Sequence, residues 1–132
     1  MSVLIYNFDA RKLQNAPTPS ELPILEFQST EALRAWLLQN HDTSAGIWLR
    51  IYKTKSGVKS VAFEEVLDAG LCFGWSESLR RKGDAHSYLQ RFTPRRQKGT
   101  TSPRNREHVE RLIQEGKMTP AGLKALGMEK TD

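Results

Sequence analysis

Hydrophobic and polar residues alternate with a period of two in several short stretches, the pattern of strands with one buried face. The clearest stretch is 46–53, where Ile47, Leu49 and Ile51 point to one side and polar or aromatic residues to the other. A Ser-Gly turn follows, and residues 58–61 are expected to return as a second strand. The sequence therefore predicts a hairpin here.

Three other stretches have the same short apolar character. We predict strands at Ile24–Phe27, Trp75–Leu79 and Ser87–Thr93, the last two joined through residues 80–84. With the hairpin, these make a sheet of about five strands.

Apolar residues recur at helical spacing in four stretches, each with a capping residue, an early proline or a terminal glycine. We predict a first helix that is capped by Ser29 or Thr30 and stops at a left-handed Asn40, and further helices at residues 63–73, 103–115 and 120–126. Gly70 lies inside the second helix at a cost of about 1 kcal/mol relative to alanine, so close packing against another element is expected there.

The order of these elements predicts the α+β class: a single domain with a mostly antiparallel sheet of about five strands flanked by four helices. The domain is expected to occupy residues 24–132. Residues 1–23 are interpreted as an N-terminal arm, in which Leu4, Tyr6 and Phe8 alternate, followed by a proline-rich linker.

The 132-residue chain is long enough for one core, and no apolar run approaches the ~20 residues of a membrane span. Its first residues lack the basic region of a signal peptide, and one cysteine cannot form an internal disulfide. The expected location is cytoplasmic. Cys72, at a helix end among apolar residues, is interpreted as a core residue with a raised thiol pKa.

Positive charge is concentrated in one part of the chain. The net charge is +5, but residues 80–111 hold ten basic and three acidic side chains, a local balance of +7. A local field of this kind favours an anionic small molecule or an acidic macromolecule as partner, and nucleic acid is one such partner.

This basic stretch leads into a helix start, where arginines and free backbone N–H groups would together hold an anion. The alternative is a solvated positive face beside an ordinarily capped helix. The candidate ligand-binding residues are Trp75, Arg91, Thr93, Arg95, Arg96, Lys98, Ser102 and Arg104.

Evidence for catalysis is sparse in the sequence. Glu77 and His86 are the weak candidates for a proton carrier, although an ion pair with a neighbouring cation is the plainer role for Glu77. His41 and His108 are interpreted as surface residues, and the histidine spacing fits no metal site. The sequence therefore indicates no metal and no cofactor.

Three segments carry a family resemblance: Leu71-Cys-Phe-Gly-Trp75, Arg91-Phe-Thr-Pro-Arg-Arg96 and the stretch from Arg106 to Gly122. Over about residues 24–126 the chain resembles the bacteriocin-protection, YdeI/OmpD-associated family. The resemblance implies a small, mainly cytosolic bacterial protein linked to tolerance of antimicrobial peptides or stress, with no established enzyme activity. Thr101 stands where that family often has a tryptophan.

Three hypotheses about function follow. The first is a small cytosolic binding protein with a basic anion-binding surface and a role in peptide or stress tolerance. The second is an enzyme acting on a phosphorylated or carboxylated small molecule, and the third is a nonspecific nucleic-acid-binding protein. An enzyme requires a concave pocket that places Glu77 or His86 beside the arginines, whereas a flat basic face argues against one.

Overall fold

A computed structural model describes residues 22–96 and 102–128 of the chain. Within them it has four strands and four α-helices, plus a 3-10 turn at Thr54–Ser56. In chain order the elements are β1 (Ile24–Glu26), α1 (Thr30–Asn40), β2 (Ile47–Tyr52), α2 (Phe63–Phe73), β3 (Trp75–Asp84), β4 (Ser87–Pro94), α3 (Pro103–Gln114) and α4 (Pro120–Ala125). The predicted α+β class is confirmed for this part of the chain.

The strands form one mixed sheet in the order β1-β2-β4-β3. β1 runs parallel to β2, and the other two pairings are antiparallel.

The predicted strand at 58–61 is wrong, because β2 already has β1 on one edge and β4 on the other. Residues 58–61 instead run past the end of the sheet, where Ser60 Oγ accepts the Tyr52 N–H at 3.1 Å and Val61 N–H donates to the Phe27 carbonyl at 3.1 Å.

β3 is longer than predicted. It continues through residues 80–84 to Asp84, with register shifts between Glu77 and Arg80 and between Lys82 and Asp84. Bulges of this kind let a strand continue while it bends. Because β3 is an edge strand, its exposed basic side chains also discourage pairing with another chain.

The main core lies between the helices and one face of the sheet. Strands supply Ile47, Leu49, Ile51 and Phe92 to it, and each is at most 3% exposed. Helices supply Leu33, Leu37, Val66, Ala69, Leu71, Cys72, Val109 and Leu112. Each large apolar side chain buried in this way contributes about 1.5–3 kcal/mol to folding.

Gly70 brings α2 against the sheet. A Cβ atom there would lie 2.7 Å from the Trp75 carbonyl oxygen and 3.1 Å from the Phe92 ring. The expected close packing is confirmed, and it explains why the helix tolerates a residue with poor helix propensity. Gly74, with a φ of 79°, then ends α2 in the left-handed conformation.

Side-chain caps begin three of the helices. Ser29, Ser102 and Thr119 each accept an N–H from the first turn, and proline follows at the start of α3 and α4. The predicted left-handed stop at Asn40 is wrong: α1 includes Asn40 and is capped by His41 in a right-handed conformation, with the His41 N–H bonded to the Leu37 carbonyl.

The opposite face of the sheet carries a second, smaller apolar cluster of Leu22, Trp48 and Leu89. The guanidinium of Arg81 lies over the Trp48 ring, 4.4 Å from its centroid. This arrangement is a cation–π contact. The face is therefore a mixture of buried apolar residues and cations, distinct from the main core.

Candidate functional site

A cavity of about 260 Å³ lies where α2, the start of β3, the segment after β4 and the first turns of α3 meet. Four of its residues are ones that the sequence suggested: Trp75, Glu77, Arg95 and Arg104. The full lining is Phe63, Leu67, Leu71, Trp75, Glu77, Arg95, Arg104, Asn105 and His108.

One wall of the cavity is apolar. Phe63, Leu67 and Leu71 follow a four-residue spacing, which places them on one face of α2. Trp75 closes the wall from β3, and it is only 1% exposed. Its Nε1–H donates to the His41 carbonyl at 3.1 Å, and its ring lies edge-on to Trp36, with 5.7 Å between centroids. The wall is therefore held rigidly by the core behind it.

Glu77 faces the same cavity because it lies two residues after Trp75 on β3 and opposite Phe92 in register. Within residues 22–96 and 102–128 its carboxylate makes no hydrogen bond and no ion pair. The ion pair expected for Glu77 is thus not formed with any described residue. The cavity contains an acceptor that no described residue engages.

Arg95 reaches the cavity because β4 ends at Pro94. Its N–H donates to the Gly74 carbonyl at 2.9 Å, which ties the segment after the strand to the end of α2. Two further candidates, Arg91 and Thr93, do not reach the cavity. Arg91 and Thr93 lie opposite Trp48 and Ser76 on the other face of the sheet.

The start of α3 contributes the second guanidinium. Arg104 is exposed in its first turn, and Asn105 follows it into the cavity lining. Ser102 Oγ accepts the Asn105 N–H at 3.2 Å, so Ser102 is an ordinary helix cap. Because Pro103 has no N–H, the first turn offers fewer backbone donors than the sequence suggested. Arginine side chains, rather than the helix end, supply most of the positive character.

His108 joins the cavity from the second turn of α3, four residues after Arg104. Behind it, Arg111 Nη2 donates to both carboxylate oxygens of Asp68 at 2.9 and 3.0 Å. His108 Nδ1 lies 3.3 Å from the same Arg111 nitrogen and 3.9 Å from Asp68 Oδ1. The ring is thus held from one side by a pair of charged groups on two helices.

The remaining candidate residues lie elsewhere. Arg91 donates to Ser78 Oγ at 3.2 Å on the far face of the sheet. Arg96 is exposed, and Lys98 lies outside the described residues. His86 occupies the exposed turn between β3 and β4, at the opposite end of the sheet from the cavity. The structure therefore separates the candidates into a cavity group and a dispersed group.

Two clefts of about 450 Å³ each lie outside this cavity. One, beside the end of β2, is open and lined by Lys53, Lys59 and Tyr88, and burial raises the pKa of the Tyr88 hydroxyl. The other, between α1 and α2, holds more acidic than basic side chains: Glu31, Glu65, Asp68, Arg34 and Lys117. Neither combines paired arginines with a buried apolar wall.

Cys72 is not among the residues that line the cavity. Cys72 is fully buried, and burial raises the pKa of its thiol, as predicted. Across residues 22–96 and 102–128 no three histidine, cysteine or acidic side chains cluster as metal ligands do. In the same residues, none of the helices has the length and apolar character that crossing a bilayer demands.

A family model described as a domain of unknown function, DUF8412, matches residues 25–125, and so most of the chain. The chain belongs to the DUF8412 family. No curated protein and no solved structure matches it. All the residues that line the cavity fall inside the DUF8412 region.

Sequence reasoning missed five cavity residues of this DUF8412 domain: Phe63, Leu67, Leu71, Asn105 and His108. A signal was present in the spacing. Arg104 and His108 are four residues apart and share one face of the predicted helix. The contact of this helix face with α2 and β3 depends on tertiary packing, which cannot be predicted from the spacing of residues within one helix.

Proposed function

We propose that the cavity between α2, β3 and α3 binds a small anionic molecule that also has an apolar part. The observation that carries the proposal is the meeting of Arg95 and Arg104 with the apolar wall around Trp75 in one concave site. Guanidinium groups bind phosphate or carboxylate oxygens through paired hydrogen bonds, and a rigid apolar wall favours a ring or short alkyl group.

The size of the cavity supports a small ligand. Its volume of about 260 Å³ lies just below the ~300–1,000 Å³ typical of ligand pockets. A single ring with one anionic group is a suitable occupant. The dispersal of the other basic residues also supports a small molecule over nucleic acid, because Arg81 and Arg91 lie on the far face of the sheet, away from Arg104.

Enzymatic activity on such a molecule is the second candidate. It is favoured by one observation: Glu77 and His108 line the same concave site as the two arginines. A carboxylate and an imidazole are the usual proton carriers of general acid–base catalysis, and arginines would hold the anionic substrate. His86, the histidine singled out from the sequence, is too far from this site to take part.

A role in antimicrobial-peptide or stress tolerance remains part of the proposal, supported by the resemblance to the bacteriocin-protection family. A cytoplasmic protein with this charge would not sequester cationic peptides directly, because like charges repel. Tolerance would then depend on the anionic ligand of the cavity.

Phenyl phosphate is a suitable probe for the binding proposal, since it combines one ring with one dianion. We expect saturable binding to the full chain in isothermal titration calorimetry, and at least a tenfold loss of affinity when Arg95→Gln and Arg104→Gln are combined. Arg91→Gln with Arg96→Gln is the matched control, with the same charge change outside the cavity.

The proposal fails if the cavity variant binds phenyl phosphate as tightly as the wild type, or if the control variant loses binding equally. Thermal unfolding of both variants checks that the fold is retained. Nucleic-acid binding would instead appear as retention of single-stranded DNA that falls steeply with salt and is weakened by both variants.

A further inference from the structure

His108 has one ring nitrogen turned away from the cavity. Its Nδ1 faces Arg111 and Asp68, at 3.3 Å and 3.9 Å. Because His108 also lines the cavity, Nε2 on the other side of the ring is the nitrogen that a ligand would meet. What Nε2 offers to a ligand depends on which nitrogen carries the proton.

The contacts of Nδ1 indicate which of the two nitrogens carries the proton when the ring is neutral. An arginine only donates hydrogen bonds, so Nδ1 must act as the acceptor at 3.3 Å from Arg111 Nη2. A proton on Nδ1 would need Asp68 as its acceptor, but a distance of 3.9 Å is too long for a hydrogen bond. The proton of the neutral imidazole therefore belongs on Nε2.

Arg111 is itself held firmly in place. Both carboxylate oxygens of Asp68 on α2 lie within hydrogen-bond distance of Nη2, and both of Glu115 lie within that distance of Nη1, at 3.3 and 3.5 Å. These contacts tie the guanidinium of Arg111 on α3 to Asp68 on α2. The orientation of the His108 ring is thus determined by groups outside the cavity.

We propose that His108 is a ligand-binding residue that donates a hydrogen bond from Nε2–H to an oxygen of the anion, with Arg111 and Asp68 as positioning residues. This inference rests on the proposed function of the cavity. An N–H donor aimed in a fixed direction adds a directional contact, so it favours oxyanions such as phosphate or carboxylate over spherical anions such as halides.

Two substitutions of His108 separate this role from a structural one. The side-chain nitrogen of glutamine takes the place of Nε2, and that of asparagine takes the place of Nδ1. We expect His108→Gln to bind phenyl phosphate nearly as well as the wild type and His108→Asn to bind it about tenfold more weakly. Equal binding by the asparagine variant, or an equal loss in both, would overturn the proposal.

Nuclear magnetic resonance of the ligand-free protein tests the tautomer without any ligand. At mildly alkaline pH, long-range ¹H–¹⁵N spectra should show His108 protonated at Nε2 and unprotonated at Nδ1. In Arg111→Met, Asp68 still faces Nδ1 but the guanidinium that donates to it is gone, so the proton should shift towards Nδ1. Arg106→Met, which removes an exposed charge from the same helix, should leave the proton of the His108 ring on Nε2.

The binding measurement and the histidine spectra can contradict the two proposals independently. If the double arginine variant retains phenyl phosphate binding, the proposed function is wrong, whatever the histidine spectra show. If that variant loses binding but His108 is protonated at Nδ1 in the wild type, or is unchanged by Arg111→Met, the proposed function survives and the role of His108 is wrong.

Discussion

Two basic regions of this domain differ in what their charged groups contact. On the far face of the sheet, Arg81 stacks on Trp48, and Arg91 donates to Ser78. Arg50 there donates to Ser87 at 2.8 Å and pairs with Glu26 and Asp84 at 3.4 and 3.5 Å. The cations of this face are engaged with their own fold.

In the cavity the pattern is reversed. Within the described residues, neither Glu77 nor Arg104 makes a hydrogen bond or ion pair through its side chain, although both line a concave site with a rigid apolar wall. The comparison teaches that a local excess of positive charge in sequence does not locate a site. What distinguishes the cavity is its concave shape together with two charged side chains, Glu77 and Arg104, that no described residue engages.

The largest effect is expected where the cavity wall meets the core. Gly70→Val adds side-chain atoms where even a Cβ would lie 2.7 Å from the Trp75 carbonyl oxygen. Overpacking of this kind costs about 1–3 kcal/mol, which urea unfolding would measure. A Gly70→Val protein as stable as the wild type would contradict the described packing.

The next effect sharpens the role of Glu77. Removing its charge by Glu77→Gln should raise the affinity for phenyl phosphate about fivefold, because the carboxylate repels the anion at close range. Calorimetric titration measures the change. Glu110→Gln, an exposed charge change on α3, should leave affinity as it is. Unchanged affinity in Glu77→Gln would mean that the probe binds outside the cavity.

The far face of the sheet should respond in stability and not in binding. Arg50→Met removes the hydrogen bond to Ser87 and two partly exposed ion pairs, so we expect a loss of about 1 kcal/mol in urea unfolding. Affinity for phenyl phosphate should be the same as in the wild type. A marked fall in affinity would show that the two regions are not separate.

The smallest effect concerns Asp84. Hydrogen bonds from the His86 N–H and the Ser87 hydroxyl lower the pKa of its carboxyl. A lowered folded-state pKa stabilises the fold above the ordinary aspartate range, and this stabilisation is lost as pH falls through the folded-state pKa. Acid titration of stability should therefore be slightly less steep in Asp84→Asn. An identical acid dependence would show that these contacts do not persist in solution.

Local signals in the sequence located the four helices, although the predicted left-handed stop of α1 at Asn40 is wrong. Ser102 followed by Pro103, Thr119 followed by Pro120, and Gly74 after α2 fix helix ends through contacts within a few residues. Gly70 was also interpretable, because a glycine inside a helix requires a packing reason.

Long-range arrangement was not available from local patterns. Residues 58–61 have the pattern of a strand, but they cannot pair with β2 because β1 and β4 already occupy both of its edges. That Arg95 lies in the cavity while Arg91 lies on the far face could not be predicted, because the end of β4 at Pro94 depends on pairing with β3. His108 looked like a surface residue because its neighbours Asp68 and Phe63 come from another helix.

The most direct test of the account compares the two regions in one titration. Phenyl phosphate added to ¹⁵N-labelled protein should cause saturable chemical-shift changes in the side-chain N–H signals of Arg104 and Trp75, which line the cavity. The side-chain signals of Arg91 and Trp48, on the far face of the sheet, should change little. Shifts centred on Arg91 and Trp48, or shifts that grow without saturation across all basic residues, would contradict the claim that the cavity is the binding site.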